Sequence, residues 1–227
     1  MRRSVPRGTL RRGRPLLSAA GLAEARELLD RGLAELDLHV TSTQRDRLLE
    51  LAALLERWSV RINLTGHRGL EAIVHRLVLD AAALLAELPA PPSVADLGSG
   101  AGFPGLPAAI LWPGTSVTLV ESRERRHHFQ RAACRALELS NARPLRGRAE
   151  ALEASEHALV VAQAMAQPTE ALHWMIPWAT AGGLLALPGA LEPPFPQDPR
   201  VELVRVARYC VPCGGPSRTL WVGRRVV

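Results

Sequence analysis

Apolar residues recur at helical spacing through the first third of the chain and then give way to short runs. Leu22, Leu28, Leu29, Leu33 and Leu36 alternate with acids and arginines and predict a helix over residues 19–39. Leu48, Leu51, Leu55 and Trp58 form a second stripe at three-and-four spacing, with Ser42 or Thr43 able to cap its start. A third helix is expected from about Gly69 to Leu88, carrying Ile73, Leu77, Leu84 and Leu88 on one face, with Asp80 in the same stripe. Pro89-Ala-Pro-Pro92 ends the helical section. From residue 93 short apolar runs alternate with helical stretches, the pattern of βαβ units around a parallel sheet. The expected strands are 94–97, 117–120, 142–145, 158–162 and 184–187, with helices over 123–139 and 169–178 and one ending at Leu111. Glu192–Pro199 reads as a loop, and 201–207 with 219–222 as a closing antiparallel pair around the Cys210–Pro216 turn.

Composition narrows the classes. With 227 residues, 47% hydrophobic and 22% charged, the chain can bury a core and is not expected to be disordered as a whole. No apolar run reaches the roughly 18 residues of a membrane helix, and three scattered cysteines make no disulfide scaffold. The chain therefore reads as soluble and cytoplasmic. All 28 basic residues are arginine, a bias that genome composition explains without physics. Its chemical consequence is that P-loop lysines, Schiff-base lysines and lysine general bases are excluded. Six arginines and no acid fall within residues 1–15, while the remainder is formally neutral. Such a tail binds polyanions non-specifically; an idle extension is the equal alternative, and it lacks the apolar stretch of a secretory signal.

The sharpest motif is Asp96-Leu-Gly-Ser-Gly-Ala-Gly-Phe-Pro-Gly105, a strand running into glycines and then into a helix. Glycines permit a tight turn and close approach of a ligand, and the helix N-terminus offers free N–H donors. A G-x-G-x-x-G frame exists at Gly100, Gly102 and Gly105, but it is out of register, since Gly98 begins the turn. Asp96, at the strand end, would repel a pyrophosphate and suits the cationic amino end of a methionine moiety. Glu121 ends the second strand 23 residues after Gly98, where an acid can accept from ribose hydroxyls. Together these favour S-adenosylmethionine over a nicotinamide dinucleotide or a purely structural turn. Gly147-Arg-Ala-Glu150 follows the third strand, either as a loop beside the adenine or as an ordinary helix start. His127-His128 are adjacent on a helix and splay too far apart for a metal pair, and Cys210-Val-Pro-Cys213 lacks a second pair, so no metal site is expected.

These residues resemble the small-subunit rRNA methyltransferase G family (RsmG, also called GidB) over about 45–225. The resemblance is carried by Trp58 with Asn63-Leu-Thr65, Arg76 and Asp80, the run from Asp96 to Pro107, Glu121-Ser122 with Arg125 and Arg126, Gly147–Glu150, and Arg218-Thr-Leu-Trp-Val222. It implies an α/β class I S-adenosylmethionine-dependent methyltransferase fold, Rossmann-like, with a seven-stranded mostly parallel sheet. With the basic tail over 1–18 expected to be disordered from its composition, the layout is an N-terminal helical cap over 19–92 and a methyltransferase domain over 93–227. The resemblance implies methyl transfer to N7 of a guanine, guanine-527, in 16S rRNA, by a monomer acting on the small ribosomal subunit. Guanine N7 has a free lone pair, so alignment suffices and no general base is needed. The implied cofactor-binding residues are Asp96, Gly98, Ser99, Gly100, Gly102, Phe103, Glu121, Ala149 and Glu150; those on the substrate side are Gln163, Arg126 and Arg218.

The departures from the family pattern fall mainly on the substrate side, with Glu121 a milder change on the cofactor side. Where the family has Ser-Arg-Ala-Phe-Ala, this chain has Ala162-Gln-Ala-Met-Ala166, so Gln163 replaces an arginine. Ala158 replaces an acid, Pro188 a lysine, Leu77 a histidine, and Glu121 the commoner aspartate. The expectation is an enzyme with a weakened substrate motif; the alternative is a degenerate paralogue that binds S-adenosylmethionine or rRNA without catalysis.

Overall fold

The computed structural model describes residues 18–189 and 198–227. The arginine-rich tail and most of the Pro-rich loop lie outside the described residues. Three helical segments come first: α1 (Ala19–Glu35), α2 (Ser42–Ser59), and a helix made of α3 (Leu70–Ile73), a π turn (Val74–Val78) and α4 (Leu79–Ala86). Thereafter β1 (Ser93–Leu97), α5 (Gly105–Leu111), β2 (Ser116–Glu121), α6 (Glu124–Ala136), β3 (Ala142–Arg146), β4 (His157–Ala162), α7 (Pro168–Met175) and β5 (Ala179–Pro188) alternate. β6 (Val201–Cys210) and β7 (Ser217–Arg225) close the chain. The seven strands lie in the order β3-β2-β1-β4-β5-β7-β6, with β7 antiparallel to both neighbours and the rest parallel.

The expected elements are present, with local differences that have physical causes. Thr41, not Ser42 or Thr43, caps α2: its Oγ1 accepts from the Gln44 amide at 3.2 Å, and the Gln44 side chain accepts from the Thr41 amide at 2.9 Å. The same Gln44 donates to the Ile110 and Leu111 carbonyls at 3.1 Å, tying α2 to the free end of α5. The helix predicted over 19–39 stops at Glu35. Asp37 turns left-handed, and the amides of Asp37 and Leu38 close on the Ala34 and Leu33 carbonyls at 3.0 Å. α6 ends in the same way around Glu138.

The predicted face of the third helix is buried at Ile73, Leu84 and Leu88, with Asp80 beside them, and differs at Leu77. The π turn inserts an extra residue, so Val74, Val78 and Leu79 are buried while Leu77 faces a cavity, half-buried. α1, α2 and this helix pack on one face of the sheet, sharing a core with Val94, Leu106, Val117, Leu119 and Phe129. α7 covers the other face around Leu97, Val160, Leu172, Trp178 and Trp221. Among the described residues no helix is long and apolar enough to cross a membrane.

Candidate active site

The carboxyl ends of β1 and β4 open into a cavity of about 340 Å³. Its walls come from three places: the glycine turn from Gly98 to Ala101 with Phe103, the helical section through Thr65, Arg76 and Asp80, and Gln163 after β4. In open α/β sheets the strand ends are where ligands bind.

The turn owes its shape to its glycines. Gly98, Gly100 and Gly102 all have positive φ, and a Cβ at Gly98 would meet Met165 Cγ at 2.7 Å. Gly105 instead opens α5, so the turn starts at Gly98 and the apparent dinucleotide frame does not describe it. Three buried side chains then hold the loop. Asp96 Oδ2 accepts from the Gly105 amide at 2.8 Å. Glu121 accepts from the Gly100 amide at 3.0 Å and from the Arg123 amide at 2.7 Å. Gln130 Nε2 donates to Ser99 Oγ and to the Gly100 carbonyl, both at 2.8 Å. The first amide of α5 is thus taken by Asp96, which corrects the expectation of a free helix-end donor there.

Asp96 is only 1% exposed, and burial lifts its pKa to about 7, against the lowering effect of the Gly105 hydrogen bond and reinforced by nearby Glu121. Its second oxygen, Oδ1, is buried without a hydrogen-bond partner. Arg126 reaches over the turn, with Nη1 3.7 Å from Glu121 Oε2.

The expected residues separate into two groups. Gly98, Ser99, Gly100, Phe103, Arg126 and Gln163 line the cavity. Asp96, Gly102 and Glu121 stand behind the turn as its anchors or bends. Ala149 is buried, its carbonyl accepting from Trp178 Nε1 at 3.2 Å, and Glu150 is exposed beside Arg148 at 3.5 Å. Neither of these two lines the cavity. Arg218, expected on the substrate side, pairs through its Nη2 with the buried Asp80 at 2.9 Å. Asp80 therefore finds its partner on β7, because the antiparallel closing pair brings Arg218 over α4. The Tyr209 phenol beside this pair is pushed up by burial and by the charge of Asp80. Arg218, Gln163 and Pro188 share a neighbouring cavity of about 380 Å³.

Sequence reasoning missed Gln130, the Asp80–Arg218 pair and the π turn that aims Arg76 and Leu77 at the cavity. Trp58 packs edge-on against Phe129, centroids 5.7 Å apart, which joins α2 to α6. His127 is half-buried against β3 with its pKa lowered chiefly by burial, while exposed His128 faces Glu124 at 3.8 Å. Among the described residues no cluster of three or more metal-ligating side chains exists.

Strand order, a glycine turn after β1, an acid ending β2 and a reversed seventh strand together define the fold of the class I S-adenosylmethionine-dependent methyltransferases. A solved structure with the same fold, an S-adenosylmethionine-dependent methyltransferase from Aquifex aeolicus, is 17% identical with a TM-score of 0.53, covering 66% of this chain and 93% of its own. The family model for rRNA small subunit methyltransferase G matches residues 44–192. The ribosomal RNA small subunit methyltransferase G of Chromohalobacter salexigens is 40% identical over 87% of this chain and 96% of its own length. That of Stenotrophomonas maltophilia is 38% identical over 77% and 80%. The chain belongs to the rRNA small subunit methyltransferase G family, and its activity is that of a methyltransferase.

Proposed function

We propose that the chain transfers a methyl group from S-adenosylmethionine to N7 of a guanine in 16S rRNA, guanine-527 by family resemblance. The observation that carries the reading is the glycine turn of a family member, braced by Asp96, Glu121 and Gln130 and opening into a cavity that also holds Arg126 and Gln163. The residues present fit that cofactor. Asp96 Oδ1 is a buried acceptor left without a donor. Glu121 uses one lone pair on each oxygen for the loop and keeps further acceptor capacity. A Cβ at Gly100 would meet nothing closer than 3.9 Å, so the outer side of the turn is open to a ligand.

When bound, S-adenosylmethionine supplies an electrophilic methyl group. Gly98, Ser99, Gly100, Gly102 and Phe103 would shape its seat, and Asp96 and Glu121, behind the turn, would serve its amino and ribose ends; Ala149 and Glu150, which lie outside the cavity lining, would border the adenine only where it extends beyond that cavity. Gln163 and Arg126 orient the guanine, and Asp80 holds Arg218 at the substrate side. No residue need accept a proton from N7, so the work of the chain is binding, alignment and exclusion of water. Residues 19–92 act as a cap and 93–227 as the methyltransferase domain of a cytoplasmic monomer.

Gln163 keeps donors and an acceptor but lacks the charge and the fork of arginine, which supports a weakened hold on the substrate. The test is a transfer assay with purified chain, labelled S-adenosylmethionine and unmodified small ribosomal subunits, followed by cleavage mapping of N7-methylguanine. Label at one guanine of 16S rRNA is expected. Normal S-adenosylmethionine binding with no label in RNA would replace the proposal with a binding-only paralogue.

A further inference from the structure

Charge is distributed unevenly over the sheet. Residues 122–148, which form α6, β3 and their flanks, hold eight arginines against two glutamates. Residues 18–121 hold eight arginines against thirteen acids, and residues 149–227 six against seven. The excess positive charge of the folded chain therefore lies along one side, where α6 packs against the edge strand β3.

The arginines on this side differ in how they are held. Arg146 is tied to Glu124 at 3.4 Å and Arg148 to Glu150 at 3.5 Å. Arg131, Arg135 and Arg143 are exposed. Among the described residues, none of the three has a carboxylate within ion-pair distance. The strip also has a direction. Arg126, in the first turn of α6, lines the cavity, and Arg131 and Arg135 lie roughly 8 and 14 Å further along the axis on the outer face of the helix, turned about 140° and 180° from Arg126. On the edge strand, Arg143 lies roughly 10 Å upstream of Arg146, which pairs in register with Glu121 at the cavity end; strand alternation places Arg143 with Leu145 on the α7 face and Arg146 on the α6 face, so the arginines flank the open edge of the sheet from both faces. The only Phe, Trp or Tyr in the stretch is Phe129, fully buried, so the strip offers no platform on which bases could stack. Arginine forks without aromatics suit a phosphate backbone.

We infer that the α6–β3 side is a phosphate-tracking surface for the base-paired RNA that flanks the target nucleotide, with Arg131, Arg135 and Arg143 as its contacts. The inference rests on the rRNA reading above and adds where the rest of the substrate lies: it leaves the cavity toward the β3 edge, not toward the β6 edge.

The test measures binding of the chain to two RNA fragments across a salt series, one with the target loop and its flanking helix and one with the loop alone. The variant is Arg131→Gln/Arg135→Gln/Arg143→Gln. Each lost phosphate contact lowers the salt slope by about 0.7–0.9, so the triple variant should lose about 2–3 on the helix-bearing fragment. On the bare loop it should match the parent protein, and calorimetry should return the same S-adenosylmethionine affinity. Arg143→Gln alone should lose about one third of that effect, which keeps the test valid if the triple variant folds poorly. Equal slopes on the helix-bearing fragment, or an equal loss on both fragments, would overturn the inference while leaving the rRNA reading standing. Failure of the parent protein to bind either fragment would overturn the inference, while absence of label in intact small subunits is what would overturn the rRNA reading.

Discussion

The turn after β1 and the segment after β4 border the same cavity and are held in opposite ways. In the turn, the Gly100 amide, the Gly100 carbonyl and the Gly105 amide each find a buried side chain, from Glu121, Gln130 and Asp96. In the segment, ladder pairing stops at Ala162, Ala164 adopts a positive φ, and the next backbone hydrogen bond is that of Ala171 to Gln167 at 2.8 Å. The first is a preorganised seat, built before any ligand arrives. The second has no such backbone partners and is held instead by side-chain packing, with Met165 and Ala166 against the α7-side core. Of the departures that the resemblance implies, Gln163 lies in this segment and Pro188 shares a cavity with it, whereas Glu121 still anchors the turn through the Gly100 amide.

The largest expected effect probes the anchoring itself. Asp96 has a folded-state pKa of about 7, raised above the ordinary 3.8 by burial. Between those values the folded protein holds a proton that the unfolded chain has released, so stability falls as pH rises from about 4 to about 7 and levels above that. The accumulated loss is on the order of a few kcal/mol. Asp96→Asn keeps an acceptor for the Gly105 amide and removes the titration, so unfolding midpoints compared across this window should show a steeper decline for the natural protein. Parallel curves would mean that Asp96 does not titrate there. A cationic ligand group beside Asp96 favours its ionised form, so S-adenosylmethionine binding near pH 6 should release protons, measurable by calorimetry in buffers of different ionisation enthalpy.

Glu121→Ala comes next. It strips two amides of a charged acceptor, and stability should drop by about 2–3 kcal/mol in denaturant unfolding, together with a loss of S-adenosylmethionine affinity. Unchanged affinity with reduced stability would confine Glu121 to the loop. The smallest effect belongs to the segment after β4. Gln163→Arg should raise rRNA methylation severalfold, in keeping with about 1 kcal/mol from one added charged contact, while S-adenosylmethionine affinity and unfolding stability stay nearly constant. A change in cofactor affinity instead would show that the two regions are coupled.

Much of this contrast could be read from the residues, and what could not has local reasons. The glycine turn, the acid ending β2 and the reversed closing strands were legible because each depends on a residue type at a fixed place in a βαβ unit. The stops of α1 and α6 were not, because Asp37 and Glu138 occupy left-handed positions where glycine or asparagine is the usual signal. The π turn left no mark in a periodicity that assumes 3.6 residues per turn, and it moved Leu77 off the predicted core face. Gln130 and the Asp80–Arg218 pair were hidden for another reason. Each joins elements distant in sequence, and a glutamine inside an arginine-rich helix looks solvated until the fold buries it.

The central claim is that this chain methylates one guanine of small-subunit rRNA at N7. The direct measurement is to delete its gene, map N7-methylguanine across 16S rRNA, and repeat the mapping after restoring the intact coding sequence. The account predicts one position, guanine-527, that loses the modification on deletion and regains it on restoration. An unchanged map in the deleted strain would contradict it.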